Sequence, residues 1–232
     1  AHLQAVYSDA QKALGLAPET AIFRRLFLSD PINQTAAVRN SPLFRDSIDS
    51  PAAVSVVGQP PLGSKIALLA HHISGAPLKK TKLSPKHLLI EKNGLRHLWS
   101  TRMCAATHGA PSVADAQTWE VFSDLIGTLT SMGGNLRDHC VRTWLYIKDV
   151  DVFYKGMVET RGKLFRQHGL TEDTHYISST GIQGACSHQY DVVLMDAYSL
   201  PDLRPGQMTF LSDLDKLCAT KDYHVHFERG TR

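Results

Sequence analysis

No stretch of this chain runs apolar for anything near the roughly 20 residues that a membrane-spanning helix needs. Its first residues show no basic, apolar and small-residue succession of the kind that marks a secretory leader. Cysteine is scarce: Cys104, Cys140, Cys186 and Cys218 are scattered, and none forms a CxxC pair. Neither a disulfide framework nor a zinc ribbon is therefore written into the spacing, and the thiols read as reduced ones in a cytoplasmic protein. Charge of one sign is also missing. With 25 basic and 22 acidic residues the net charge is only +3, too little to call for a nucleic-acid or membrane partner.

What is present is an ordinary globular composition, 43% hydrophobic and 20% charged over 232 residues, enough for one large domain or two small ones. The most informative stretch runs from Val141 to Gly184. Val141, Thr143, Leu145 and Ile147 alternate with Arg142, Trp144, Tyr146 and Lys148, which predicts a strand with two unlike faces. Asp149 is placed to begin a helix in which Phe153, Met157, Leu164 and Phe165 recur at helical spacing. A second extended run, Tyr176 to Ile182, carries Ser and Thr and is broken by Gly181.

Read from the start, the chain opens inside a helix (Leu3, Val6, Ala10, Ala13) that Gly15 stops. A strand over 20–30, a helix-like run from Ile32 to the Pro42 break, and extended runs at 54–57 and 65–73 follow. GAPLKKTKLSPK, 75–86, has the composition of a connector. Then Asn93-Gly94 between two alternating runs predicts a hairpin, and a loop through Pro111 leads to a helix whose expected core face is Trp119, Phe122, Leu125, Ile126, Leu129 and Met132. The two halves match at a shift of 119 residues: Gly15 falls on Gly134, Asp30 on Asp149, and FRRLFLSD on RTWLYIKD. After a second link, YHVHFERG stands where HLLIEKNG stood. The chain thus divides into a partial unit at 1–74, a linker at 75–86, a complete unit at 87–200, and a linker with the start of a third unit at 201–232.

One unit is strand, strand, helix, strand, helix, strand: an α+β fold, a ferredoxin-like split βαβ plan with both helices on one face of a mixed sheet. The run VRTWLYIKD…Y…R..LF…STGI, with this order of elements, resembles the Rid (YjgF) superfamily of reactive-intermediate deaminases, here as a tandem-repeat member. It also resembles the chorismatases, which are built from Rid-like domains. The resemblance covers essentially the whole chain. It implies mixed sheets packed as a barrel-like pseudo-trimer, formed within the chain or completed by self-association, with clefts between units. It also implies an Arg at the start of the penultimate strand and a Glu on the last. Those positions fall here on Ala53 and about Tyr176, and on Ala67 and about Val193.

Three functions follow from the resemblance: a deaminase acting on a small carboxylate-bearing enamine or imine, a chorismatase-like hydrolase releasing pyruvate, or a non-catalytic binding scaffold. The ribonuclease and translation-inhibitor descriptions attached to some Rid relatives find no basic, aromatic-interleaved patch in this sequence. The expected partner is a small carboxylate-bearing metabolite, held between two units by Arg142, Trp144, Tyr176, Ser178, Thr180 and Gly181. Arg142 offers a cation beside aromatic surface, the hydroxyls offer donors at two-residue steps, and Gly181 admits a close approach of the backbone. Of Arg24 and Arg25, one must point away from any cleft. Cys186 with His175 and His188, and the pair His224 and His226, lack a nucleophile or zinc pattern, so no catalytic residue, metal or cofactor is assigned.

Overall fold

The computed structural model describes residues 2–45, 51–75, 78–105, 114–186, 188–223 and 225–232. The loop expected through Pro111, and His224, lie outside them. The chain begins with α1 (His2–Ala13), β1 (Ala21–Leu28), α2 (Pro31–Arg39), β2 (Ala53–Gly58) and β3 (Ile66–His72). β1 pairs parallel with β2 and antiparallel with β3, giving a sheet of order β2-β1-β3. α2 starts where expected, with the Asp30 carboxylate accepting from the Asn33 amide at 3.1 Å. It ends at Arg39, because the residue before Pro42 is pushed out of the helical region.

The second sheet is built from β4 (Lys79–Lys82), β5 (His87–Lys92), β6 (Leu95–Met103), β7 (Cys140–Ile147), β8 (Ser178–Gln183) and β9 (Val193–Ser199), in the order β4-β5-β6-β9-β7-β8. Its helices are α3 (Ala114–Ser131), the short α4 (Leu136–His139) and α5 (Val150–Gln167). The β5–β6 hairpin turns at Asn93 and Gly94, both at positive φ (53° and 77°), as the two-residue turn demands. The segment 75–86, read as a connector, contributes β4 as an edge strand; its lysines suit an edge, where they discourage further pairing.

The repeat is visible in the topology. β7 pairs parallel with β8 and antiparallel with β9, as β1 does with β2 and β3, and Ala21–Leu28 shifted by 119 is Cys140–Ile147. Phe23 pairs with Ala53, and its counterpart Arg142 pairs with Ser178. The second-unit position answering to Ala53 is therefore Ser178, two residues beyond the place the sequence reading gave it.

α3 and α5 lie together on one face of the larger sheet. Phe122, Leu125, Leu129, Met157, Leu164 and Phe165 bury against Leu98, Leu145, Ile147, Val193 and Met195. Trp119 corrects the expected core face: it is 45% exposed, whereas Phe122 and Leu129 are fully buried. The inward stripe instead includes Gln117 and Thr118. Gln117 turns in because its amide satisfies three backbone groups of the chain entering β9, accepting from Val192 and Val193 and donating to Tyr190 O.

The opposite face of that sheet meets the first one. Phe23 of β1 stacks on Trp99 of β6 at 4.7 Å between ring centroids, and Tyr198 of β9 meets Trp99 at 4.7 Å with its ring tilted by 38°. Val57 joins Tyr146, Leu194 and Cys186 further along the seam. The described residues form three separate sheets, none of them a closed barrel. The third is the two-residue pair β10 (Phe210–Leu211) and β11 (Gly230–Thr231), while Glu228 bridges to Ser178 at the free edge of β8. No helix among the described residues is long and apolar enough to cross a membrane.

Candidate functional site

A buried ion pair sits at the centre of the seam. Arg25 on β1 is 4% exposed and Asp196 on β9 is 1% exposed. Arg25 donates to Asp196 Oδ2 from Nε (3.2 Å) and Nη2 (2.9 Å), and Ser55 on β2 donates to the same oxygen. The guanidinium lies 4.8 Å from the centroid of Trp144 and 5.5 Å from that of Tyr146. Arg24, one residue earlier, points the other way, to Leu43 O and the Tyr7 ring.

The remaining Asp196 oxygen accepts the Arg102 amide at 3.0 Å. Here β6 carries an irregularity between Ser100 and Met103 in its pairing with β9, and Arg102 stands at φ 55°. A bulge re-aims a side chain, and a left-handed non-glycine residue persists only where its surroundings hold it. Asp196 does the holding. The Arg102 side chain is thrown outward, with its guanidinium 4.6 Å from the Phe44 ring centroid and Nη2 donating to Pro85 O at 2.6 Å.

The outward side is a cleft of about 710 Å³ between the two units. One wall is α2 and the segment after it (Thr35, Val38, Arg39, Phe44, Arg45), with Val56 of β2. The other brings Lys82, Lys86, Arg102, Cys104, Cys186, His188, Asp191 and Leu194. Lys86 Nζ donates to Cys104 O (3.2 Å) and Asp124 Oδ2 (3.3 Å). Asp124 is held below its usual pKa, first by its hydrogen bond to His87. Desolvation, reinforced by Asp191, pushes the Cys104 thiol up to about 11; burial likewise raises Cys186 well above a free thiol. Both sulfurs are neutral at physiological pH, so neither is an activated nucleophile.

The sequence-selected residues lie elsewhere, on and beside β8, and only some of them meet. Arg142 donates to Thr180 Oγ1 and reaches Arg229 O at 3.5 Å, with its guanidinium 5.5 Å from the Trp144 centroid. Ser178 shares that face and hydrogen-bonds Thr231. Gly181 is on the other face, where an added Cβ would come 3.3 Å from Tyr154 Cε2 on α5. Tyr176, ahead of the strand, stacks on Phe165, and its amide donates to Glu228 Oε1. Arg142, Trp144, Ser178 and Thr180 thus form one surface, with Gly181 and Tyr176 apart from it. Arg39, Arg45, Lys86 and Arg102 were missed. Arg102 in particular gives no signal, since in LRHLWSTRM it reads as one more outward strand residue.

No protein-family model matches the sequence, and no curated protein matches it. Among solved structures, a chorismatase aligns over 84% of this chain and 52% of its own, at 15% identity and a TM-score of 0.50. The two share a fold, and this chain spans about half the length of that protein. A YjgF-family member from Neisseria meningitidis aligns over 53% of this chain and 94% of its own, at 13% identity and a TM-score of 0.42. The YjgF product of E. coli aligns over 50% and 85%, at 14% identity and 0.41.

Proposed function

We propose that this chain binds a small carboxylate-bearing metabolite in the cleft between its two units. The observation that carries this is the charge of the lining: Arg39, Arg45, Lys82, Lys86 and Arg102 stand against Asp191 around about 710 Å³. Clefts of ~300–1,000 Å³ are the usual size for metabolite sites, and guanidinium groups are the side chains best matched to a planar carboxylate. Ordinary Rid deamination is not part of the reading. Ala53 stands where the carboxylate-binding Arg of the resemblance would be, and the space beside it is only about 10 Å³.

A chorismatase-like reaction is the second reading. It is favoured by the fold shared with a chorismatase and by a lining with enough cations to clamp two carboxylates. Calorimetric titration of pyruvate and of chorismate, with a coupled assay for released pyruvate, tests both. Arg102→Ala and Lys86→Ala are each expected to weaken binding about tenfold or more, the worth of one charge-assisted hydrogen bond. Affinity unchanged in both variants but lost in Arg142→Ala would move the site to the β8 surface.

A further inference from the structure

We infer that the chain carries a second carboxylate site, on the helix side of β8, centred on Arg161. Arg161 projects from α5 and is 2% exposed, yet no carboxylate among the described residues pairs with it. Its only hydrogen bond to a described residue is a long one, Nη1 to Ser179 Oγ at 3.4 Å, and its buried Nε has no partner. The Phe165 ring centroid, 5.7 Å from the guanidinium carbon, accounts for part of its surroundings. A buried cation without a counter-charge costs several kcal/mol. Desolvation correspondingly pulls Arg161 down to about 10.

Beside the guanidinium lies a pocket of about 230 Å³, lined by Tyr154, Arg161, Ser179, Thr180, Gly181 and Phe227. Nearby on α5, at Gly162, His226 presents a buried Nδ1 that also lacks a partner. The volume corresponds to about seven or eight waters, the size of a two- to four-carbon acid. The unpaired Nε edge of a guanidinium is the edge that takes a carboxylate in bidentate fashion. Ser179, and Tyr154 at the rim, add hydroxyls, and Gly181 keeps the mouth open. The occupant is a free small carboxylate, at a place that shares no lining residue with the inter-unit cleft.

The test uses the whole chain in an Arg102→Ala background, in which binding at the inter-unit cleft is weakened about tenfold or more, with pyruvate and acetate as probes in calorimetry and thermal melts. Arg102→Ala is expected to retain saturable binding to one site and a ligand-dependent rise in Tm. Adding Arg161→Met should lower the affinity at least tenfold while leaving the unliganded Tm unchanged or higher, since an uncompensated buried charge has been removed. Gly181→Val, which fills the mouth against Tyr154 and leaves Arg161 in place, should also abolish the response, and it serves if the Met variant does not fold. Loss of all binding in Arg102→Ala alone overturns the second site. So does binding that survives both Arg161→Met and Gly181→Val, or a fall in unliganded Tm of the Met variant with no ligand response in its parent.

Discussion

Replacing Asp196 by alanine removes the acceptor for four donors at once: Arg25 Nε and Nη2, Ser55 Oγ and the Arg102 amide. Breaking a buried ion pair from one side costs about 3–5 kcal/mol, because the surviving charge stays buried. Ser55 and Arg102 add orphaned donors worth about 1–3 kcal/mol each, but they share the vacated space, and such terms do not sum. A loss of about 4–6 kcal/mol is expected. That is a large part of the ~5–15 kcal/mol by which domains are stable, and with a urea m-value of about 2 kcal/mol/M it moves the midpoint down by 2–3 M. The control is Arg25→Met, Ser55→Ala and Asp196→Leu together. It removes both charges and should recover most of the loss, since apolar replacements of a buried pair are often near neutral. Urea unfolding followed by tryptophan fluorescence reads both proteins. A loss below about 1 kcal/mol for Asp196→Ala, or a triple variant as unstable as the single one, would refute the account of the seam.

Three further outcomes check the rest of the structure. Phe122→Ala should cost about 3–5 kcal/mol and Trp119→Ala less than about 1, since the first is fully buried and the second 45% exposed; equal losses in chemical denaturation would contradict the assigned helix face. Gly58→Val should destabilise by about 1–3 kcal/mol, because a Cβ there meets Pro31 Cγ at 2.6 Å and Ala185 Cβ at 2.8 Å where the units join; a wild-type melting temperature would show the join to be looser than this. Desolvation, with Arg24's charge, lowers Lys80 from 10.5 to about 8. Between those values the unfolded chain holds a proton that the folded chain has lost, so this group makes stability rise with pH through that window. Lys80→Met should flatten that rise, and an unchanged pH profile would exclude the effect.

Much of the fold is legible in the sequence because its signals are local or periodic. Asn93-Gly94 fixes a turn, Asp30 begins a helix, and β1 and β7 repeat at a shift of 119. The features that shape the cleft are of another kind. Arg25 and Asp196 are 171 residues apart, and nothing near either one announces the other. Arg102 leaves the strand pattern only because a bulge opposite β9 meets a carboxylate that can take its amide. Gln117 reads as a surface residue until the backbone it satisfies is in place, and Trp119 yields the inward position to it. The alternation correctly groups Arg142 with Trp144 on β7, and Ser178 with Thr180 on β8. Adding Gly181 to that group mixes the two faces, since adjacent strand residues point opposite ways.

The repeat also relates the two pockets to each other. Leu26 pairs with Val56, and its counterpart Leu145 with Gly181, so Val56 in the lining of the inter-unit cleft answers to Gly181 in the lining of the Arg161 pocket. The shift of 119 likewise carries Thr35, another cleft residue, to Tyr154, and Pro42 to Arg161. The pockets are two versions of one place in the unit, between the second helix and the strand that follows it. In the first unit Pro42 stops the helix early, the cleft opens to about 710 Å³, and much of its charge comes from Lys82, Lys86 and Arg102 of the next unit. In the second the helix runs on to Gln167, the space shrinks to about 230 Å³, and the helix supplies the cation itself. A duplicated fold has thus put positive charge at the same place by two routes, and if both pockets are the carboxylate sites proposed above, their volumes predict acids of different size.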